Sequence, residues 1–173
     1  MLTEELIYLQ NDEIKKGLTD LALSLVPTHA IDFSFNRDRS IEGSKHELKL
    51  FHAGIERKML GKFFYRKPAK DRIKSICFIE HIESNLHYHG LFSIPKRFHD
   101  KFVNRAIITW LKICPSGHLV ITPLPTEPEF HIKSNYAHKE IFKLQNYENF
   151  VLHSQFWSFA KKPRDEIAVS HLL

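Results

Sequence analysis

Two histidines and a glutamate are the residues best arranged for chemistry in this sequence. Apolar runs on both sides of Ser84 and Asn85 are typical of a β-hairpin. Alternate side chains of a strand lie on opposite faces, so His87 and His89 share a face. If Ser84 and Asn85 form a two-residue loop, Glu80 lies directly opposite His89 on that face. The three side chains are therefore predicted to hold a divalent metal ion and to leave positions open for water or substrate. The alternative is a pair of surface histidines on a solvated sheet.

A tyrosine followed by a lysine forms the second candidate group. On a helix predicted from about Tyr136 to Gln145, Tyr136 and Lys139 occupy neighbouring positions on one face. A phenol ionises only near pH ~10, and a nearby ammonium favours the nucleophilic phenolate. This spacing arises by chance in many helices. It gains weight here because it follows the histidine hairpin, a helix and a strand.

The elements around these residues predict an α+β fold, with a central antiparallel sheet of about five strands and helices packed on one face. Ala30, Asp32, Ser34 and Asn36 would form the polar face of an early strand. The predicted elements are a helix over residues 3–25, either continuous or broken near 11–12, a strand over 29–36, a helix over 44–60 that starts with a Ser44–Glu47 capping box, the hairpin, a helix of roughly eighteen residues from Pro95, and strands over 118–124 and 130–133.

The composition indicates one globular domain with an excess of basic residues. We expect a single domain over 1–173, with its core at about 29–145 and a helical segment at 1–27. Lys and Arg number 25 against 20 Asp and Glu, an excess that suits a polyanion. No apolar run approaches the ~20 residues of a membrane span, and the two cysteines lie inside apolar runs, so we expect a cytoplasmic protein without a membrane partner.

Residues 62–74 interleave basic and aromatic side chains, which fits either nucleic-acid contact or a solvated loop anchored by its aromatics.

Together, the ordered motifs resemble those of the HUH endonuclease superfamily, in particular rolling-circle replication initiators with one catalytic tyrosine. The metal motif of that family is matched by His87-Tyr88-His89, and its nucleophile motif by Tyr136-Ala137-His138-Lys139. The tyrosine follows the histidines, as in initiators, whereas relaxases have the opposite order. Strand parity would turn His81 away from the group, and the early strand matches a further family motif only loosely.

The resemblance implies a fold, a reaction and partners. The fold would be an RRM-like palm, Glu80 would be the third metal ligand, and Mg²⁺ or Mn²⁺ the cofactor. Tyr136 would attack a phosphate of single-stranded DNA or an origin hairpin, assisted by Lys139, and form a covalent 5′-phosphotyrosine. The sequence has no nucleotide-binding phosphate loop, so unwinding would require a host helicase or a pre-melted hairpin. A single-strand transposase, a non-catalytic nucleic-acid-binding domain and an unrelated zinc hydrolase are the alternatives.

Overall fold

A computed structural model describes residues 4–82, 84–137 and 150–156. The helices and strands follow one another as α1 (Glu4–Ser24), β1 (His29–Ser34), α2 (Ile41–Leu60), β2 (Lys74–Glu80), β3 (His87–Ser93), α3 (His99–Ile113), β4 (His118–Pro123), α4 (Glu127–Ala137), β5 (Phe150–Leu152) and α5 (His153–Phe156). Short 3-10 turns cover Phe64–Arg66, Ala69–Asp71 and Lys96–Phe98. Within these ranges, no helix combines the length and apolarity that crossing a bilayer requires.

The five strands form one antiparallel sheet in the order β4-β1-β3-β2-β5. The predicted α+β fold with a sheet of about five strands is therefore confirmed. The strand predicted over 130–133 is wrong, because those residues belong to α4 and the fifth strand is β5. The backbone N–H and the hydroxyl of Thr126 both donate to Oε2 of Glu129, at 2.9 and 2.7 Å. This capping arrangement starts a helix where the short apolar alternation suggested a strand.

One face of the sheet packs against α2 and α3 through an aromatic core. The Phe33 ring lies 5.0 Å from the ring of Phe51 on α2 and 5.1 Å from that of Trp110 on α3, both edge to face. Phe35 contacts the same Trp110 ring at 5.3 Å. These rings are fully buried, and such pairs contribute about 0.5–1.5 kcal/mol each beyond burial. These contacts fix β1 against α2 and α3.

The start of α2 differs from the prediction. The helix begins at Ile41, and the Gly43 N–H donates to Oγ of Ser40 at 3.1 Å, so Ser40 is the N-cap. The predicted capping box is wrong, because Ser44 lies inside the helix and Glu47 pairs with Arg37 at 2.9 Å. The predicted end at residue 61 is confirmed. Helix α1 is continuous over its described length, without the break considered near residue 11.

Two further helices, α1 and α4, lie over part of the opposite face of the sheet. They contribute Leu18, Ala22 and Ala137 to a second buried cluster with sheet residues Ala30, Ile76, Phe78 and Leu91. Helix α4 also contacts β3 directly. Because His87 and His89 lie on this same face, α4 is held close to the histidines of the hairpin.

Candidate metal centre

A glutamate oxygen lies between the two histidines of β3. Oε2 of Glu80 is 2.8 Å from Nε2 of His87 and 2.7 Å from Nε2 of His89. One donor atom from each residue lies within 4.8 Å of the other two, which is the span a single metal ion can bridge. Glu80 is only 2% exposed, whereas His87 is partly accessible. The predicted ligand set is thus brought together, at a point that solvent can reach from one side.

The register of the hairpin differs from the predicted one. Glu80 lies opposite His87, and Phe78 lies opposite His89, so the predicted pairing of Glu80 with His89 is wrong. The two-residue loop is also wrong, because β2 ends at Glu80 and β3 begins at His87. His81 and Asn85 adopt left-handed φ values of 53° and 51°, which turn the chain over a longer connection. The shift is two residues, so Glu80 stays on the histidine face.

The hydrogen bond made by Nδ1 of each imidazole determines whether Nε2 can act as a metal ligand. Nδ1 of His87 lies 3.0 Å from the carbonyl oxygen of Asn85, and Nδ1 of His89 lies 2.6 Å from Oδ1 of Asp32. Both partners only accept, so each Nδ1 carries the hydrogen and donates. A neutral ring of this tautomer presents a lone pair at Nε2. At these separations of 2.7–2.8 Å, a proton on Nε2 makes each contact a hydrogen bond to Glu80, whereas in the neutral tautomer the two lone pairs and the carboxylate oxygen form a donor set for a metal ion.

The charges around His89 favour such a cation. Burial lowers the pKa of His89, but hydrogen bonds and the negative charges of Asp32 and Glu80 outweigh it and raise the pKa overall. The same two carboxylates stabilise positive charge whether a proton or a metal ion carries it. Carboxylate and imidazole donors both bind divalent ions. The residues present therefore fit a divalent metal ion.

Asp32 is the site residue that the sequence analysis missed. It lies opposite His89 in the β1–β3 pairing and fixes the orientation and tautomer of that ring. An outer carboxylate of this kind orients a metal-ligating histidine and raises its basicity. The available signal was its place on the predicted polar face of β1, although no role was assigned to that strand.

His81 lies beside the site, contrary to the prediction that strand parity would turn it away. Its ring centroid is 5.0 Å from that of His87. The alternation of side chains between the two faces does not extend to His81, because β2 ends at Glu80 and the backbone of His81 is left-handed. The edge of the site at the hairpin loop therefore carries a third imidazole.

Tyr136 lies against the histidine cluster. Its ring contacts that of His89 edge to face, with centroids 5.1 Å apart, and the residue is 47% exposed. Burial of the adjacent Ala137 and Ser134 fixes this end of α4 to the sheet. Nζ of Lys133 is 6.0 Å from the centroid of the Tyr136 ring. An accessible phenol thus lies next to a candidate metal ligand, with an ammonium group nearby.

The helix that carries the tyrosine begins earlier than predicted. Helix α4 starts at Glu127 rather than near Tyr136, so Tyr136 lies at its end within the described residues. The predicted partner Lys139, and residues 138–149 as a whole, lie outside the described residues. The pairing of Tyr136 with Lys139 therefore stays a prediction.

No protein-family model, curated protein sequence or solved structure matches the chain. Membership of the HUH superfamily is therefore not shown, and the resemblance of the histidine and tyrosine motifs stays a prediction. The described residues provide a donor set for a divalent ion beside an accessible tyrosine. Any function assigned to the chain depends on that geometry.

Proposed function

We propose that the chain is a metal-dependent enzyme that nicks and rejoins single-stranded DNA, and that it initiates rolling-circle replication of a plasmid, phage or virus. The contact between the rings of Tyr136 and His89, 5.1 Å apart, is the observation that supports this proposal. The contact places a phenol that is 47% exposed beside a proposed metal ligand. A nucleophile that attacks a metal-activated phosphate needs such a position.

The proposed ligands are Glu80, His87 and His89, and the proposed ion is Mg²⁺ or Mn²⁺. When bound, the ion would polarise the scissile phosphate and stabilise the charge on its oxygens. Oxygen ligands suit these ions, whereas imidazole alone would favour zinc. Asp32 holds His89 with its lone pair directed at the centre, and Asn85 does the same for His87 through its carbonyl.

Tyr136 supplies the nucleophile in this proposal. Its phenol oxygen forms a bond to phosphorus as the bond between phosphorus and the 3′-oxygen breaks. The phenol loses its proton, and the departing 3′-oxygen gains one. The products are a 5′-phosphotyrosine and a free 3′-hydroxyl, so one phosphodiester replaces another and the step can run backwards to rejoin the strand. Lys133, and Lys139 as the family resemblance implies, would neutralise a non-bridging oxygen.

A denaturing gel tests the proposal. The protein is incubated with Mn²⁺ and single-stranded oligonucleotides that carry a label on the side 3′ to each candidate cleavage site. We expect a labelled species that stays with the protein under denaturing conditions. Tyr136→Phe and His87→Ala should each abolish it, whereas the control Tyr65→Phe, a tyrosine in the segment after α2, should retain it.

The other outcomes of this gel decide between the alternatives. Retention of DNA on native gels without a denaturation-resistant adduct would contradict the proposal and indicate a binding domain. Cleavage that survives Tyr136→Phe would also contradict it and indicate a hydrolase. An adduct that forms only with the ends of a mobile element, and never with a replication origin, would indicate a single-strand transposase.

A further inference from the structure

A cluster of positive charges lies on the side of the sheet opposite the metal centre, where α2 and α3 run beside each other. Nζ of Lys58 donates to Oγ1 of Thr109 at 2.5 Å, and Arg105 donates to the backbone carbonyl of Lys58. Burial, and then the charges of Lys112 and Arg105, lower the pKa of Lys58. Both charged neighbours that shift the pKa of Lys58 are cations. An anion that binds such a cluster offsets the mutual repulsion of its charges.

Aromatic and basic side chains continue this cluster directly after α2. The Arg66 guanidinium lies 4.9 Å from the centroid of the Phe63 ring, and Nζ of Lys62 lies 5.8 Å from it. The Tyr65 ring is 6.3 Å from the Phe63 ring. Two cations and a second ring thus surround one phenylalanine.

The exposure of Phe63 decides between the two interpretations of this segment. If its aromatics only anchored a loop to the core, their rings would be buried. Phe64 is turned towards the buried Arg72, with the guanidinium 5.7 Å from the ring centroid, but Phe63 stays 50% exposed. Half of a large apolar ring is therefore left in water among cations. Such a ring is a platform on which an unpaired base can stack while the cations contact phosphates.

We infer that Lys58, Lys62, Phe63, Arg66, Arg105 and Lys112, here called the cationic surface, bind single-stranded nucleic acid with a base stacked on Phe63. The cationic surface is separate from the metal centre. Helices α2 and α3 pack on the face of the sheet opposite the one that carries Glu80, His87 and His89, so the sheet lies between the two sites. Binding there requires neither a metal ion nor Tyr136, so the inference extends beyond the proposed nicking reaction.

Fluorescence anisotropy tests this inference. The probe is a labelled oligothymidylate of twenty nucleotides, and its binding is measured in EDTA over a range of salt concentrations. EDTA prevents metal-dependent cleavage, so only binding is measured. Phe63→Ala should weaken binding about tenfold or more, whereas Phe63→Trp should preserve it. Lys58→Ala and Lys112→Ala should each reduce the slope of log affinity against log salt by about 0.7.

Matched controls separate this site from general charge attraction. Leu50→Ala removes an apolar side chain of similar exposure, 44%, from α2, the helix that precedes Phe63 in the chain, and Lys16→Ala removes one charge from α1. Both should leave affinity within about twofold. Equal weakening by Phe63→Ala and Leu50→Ala, or an equal change of slope for Lys16→Ala and Lys58→Ala, would overturn the inference. Phe63→Ala should weaken oligonucleotide binding by the same factor when it is combined with His87→Ala or with Tyr136→Phe. Failure of the nicking proposal would therefore leave this result intact.

Discussion

Replacing Asp32 by Asn should weaken binding of Mn²⁺ about tenfold. The substitution keeps the size of the side chain and an acceptor for Nδ1 of His89, but it removes the negative charge 2.6 Å away. A hydrogen bond to a charged group contributes about 1.5–3 kcal/mol. Asp32 is 38% exposed, so water screens part of its charge and the lower end applies. About 1.4 kcal/mol corresponds to a tenfold change in affinity, which agrees with the usual 10–100-fold loss from such outer carboxylates.

Isothermal titration calorimetry at pH 7.5 with Mn²⁺ measures this change directly. Asp38→Asn is the matched control, because it removes the same charge from an exposed position on the loop after β1. We expect the control to bind Mn²⁺ within about twofold of the unmodified protein. Unchanged affinity in Asp32→Asn would refute the argument that the negative charge of this carboxylate strengthens His89 as a metal ligand. Equal losses in the two variants would refute it too, because they would indicate a general charge effect.

Three further predictions concern the fold and its dependence on pH. Gly90→Ala should lower the free energy of unfolding, measured in urea, by about 1–3 kcal/mol, because the new Cβ would lie 2.6 Å from the buried ring of Phe92. Gly17→Ala, whose new Cβ would have nothing within 4 Å, should not lower it. Equal losses in the two variants would contradict the packing argument. Arg72→Met should lower the free energy of unfolding by about 3–5 kcal/mol, because it leaves the carboxylate of Glu56 buried without its guanidinium partner. Adding Glu56→Leu should recover most of that loss, and no recovery would argue against a paired charge. Burial, and then a neighbouring histidine, lower the pKa of His29 to about 4, below its ordinary value of 6.5. The stability that the neutral ring provides is therefore complete above pH 6.5 and lost as pH falls towards 4, so Tm should drop between pH 7.5 and 5, and drop less in His29→Gln.

The ligand set could be predicted from the sequence because it depends on parity alone. Side chains two residues apart on a strand share a face, and a register shift of two residues leaves that face unchanged. Glu80, His87 and His89 were therefore found although their pairing was wrong. The register itself depended on left-handed conformations at His81 and Asn85. Neither is glycine, and although Asn and His adopt this conformation more often than most residues, their presence does not fix the length of the connection.

Long-range pairing explains what the sequence did not reveal. Asp32 meets His89 only because β1 pairs with β3 rather than with β2, the next strand in the chain. A sequence pattern predicts strands far better than the order in which they pair. The contact of Tyr136 with His89 likewise depends on the packing of α4 over the histidine face, in which Ala137 is buried. Local spacing placed the tyrosine on a helix but could not orient that helix on the sheet.

The most direct test of the central claim is an anomalous-difference map from crystals of the protein grown or soaked with Mn²⁺. The geometry predicts one strong peak about 2.0–2.3 Å from Nε2 of His87, Nε2 of His89 and a carboxylate oxygen of Glu80, on the side that faces the Tyr136 ring. The same peak should be missing from crystals of His87→Ala treated in the same way. A map in which manganese binds elsewhere, while these three side chains keep direct hydrogen bonds to one another, would contradict the claim.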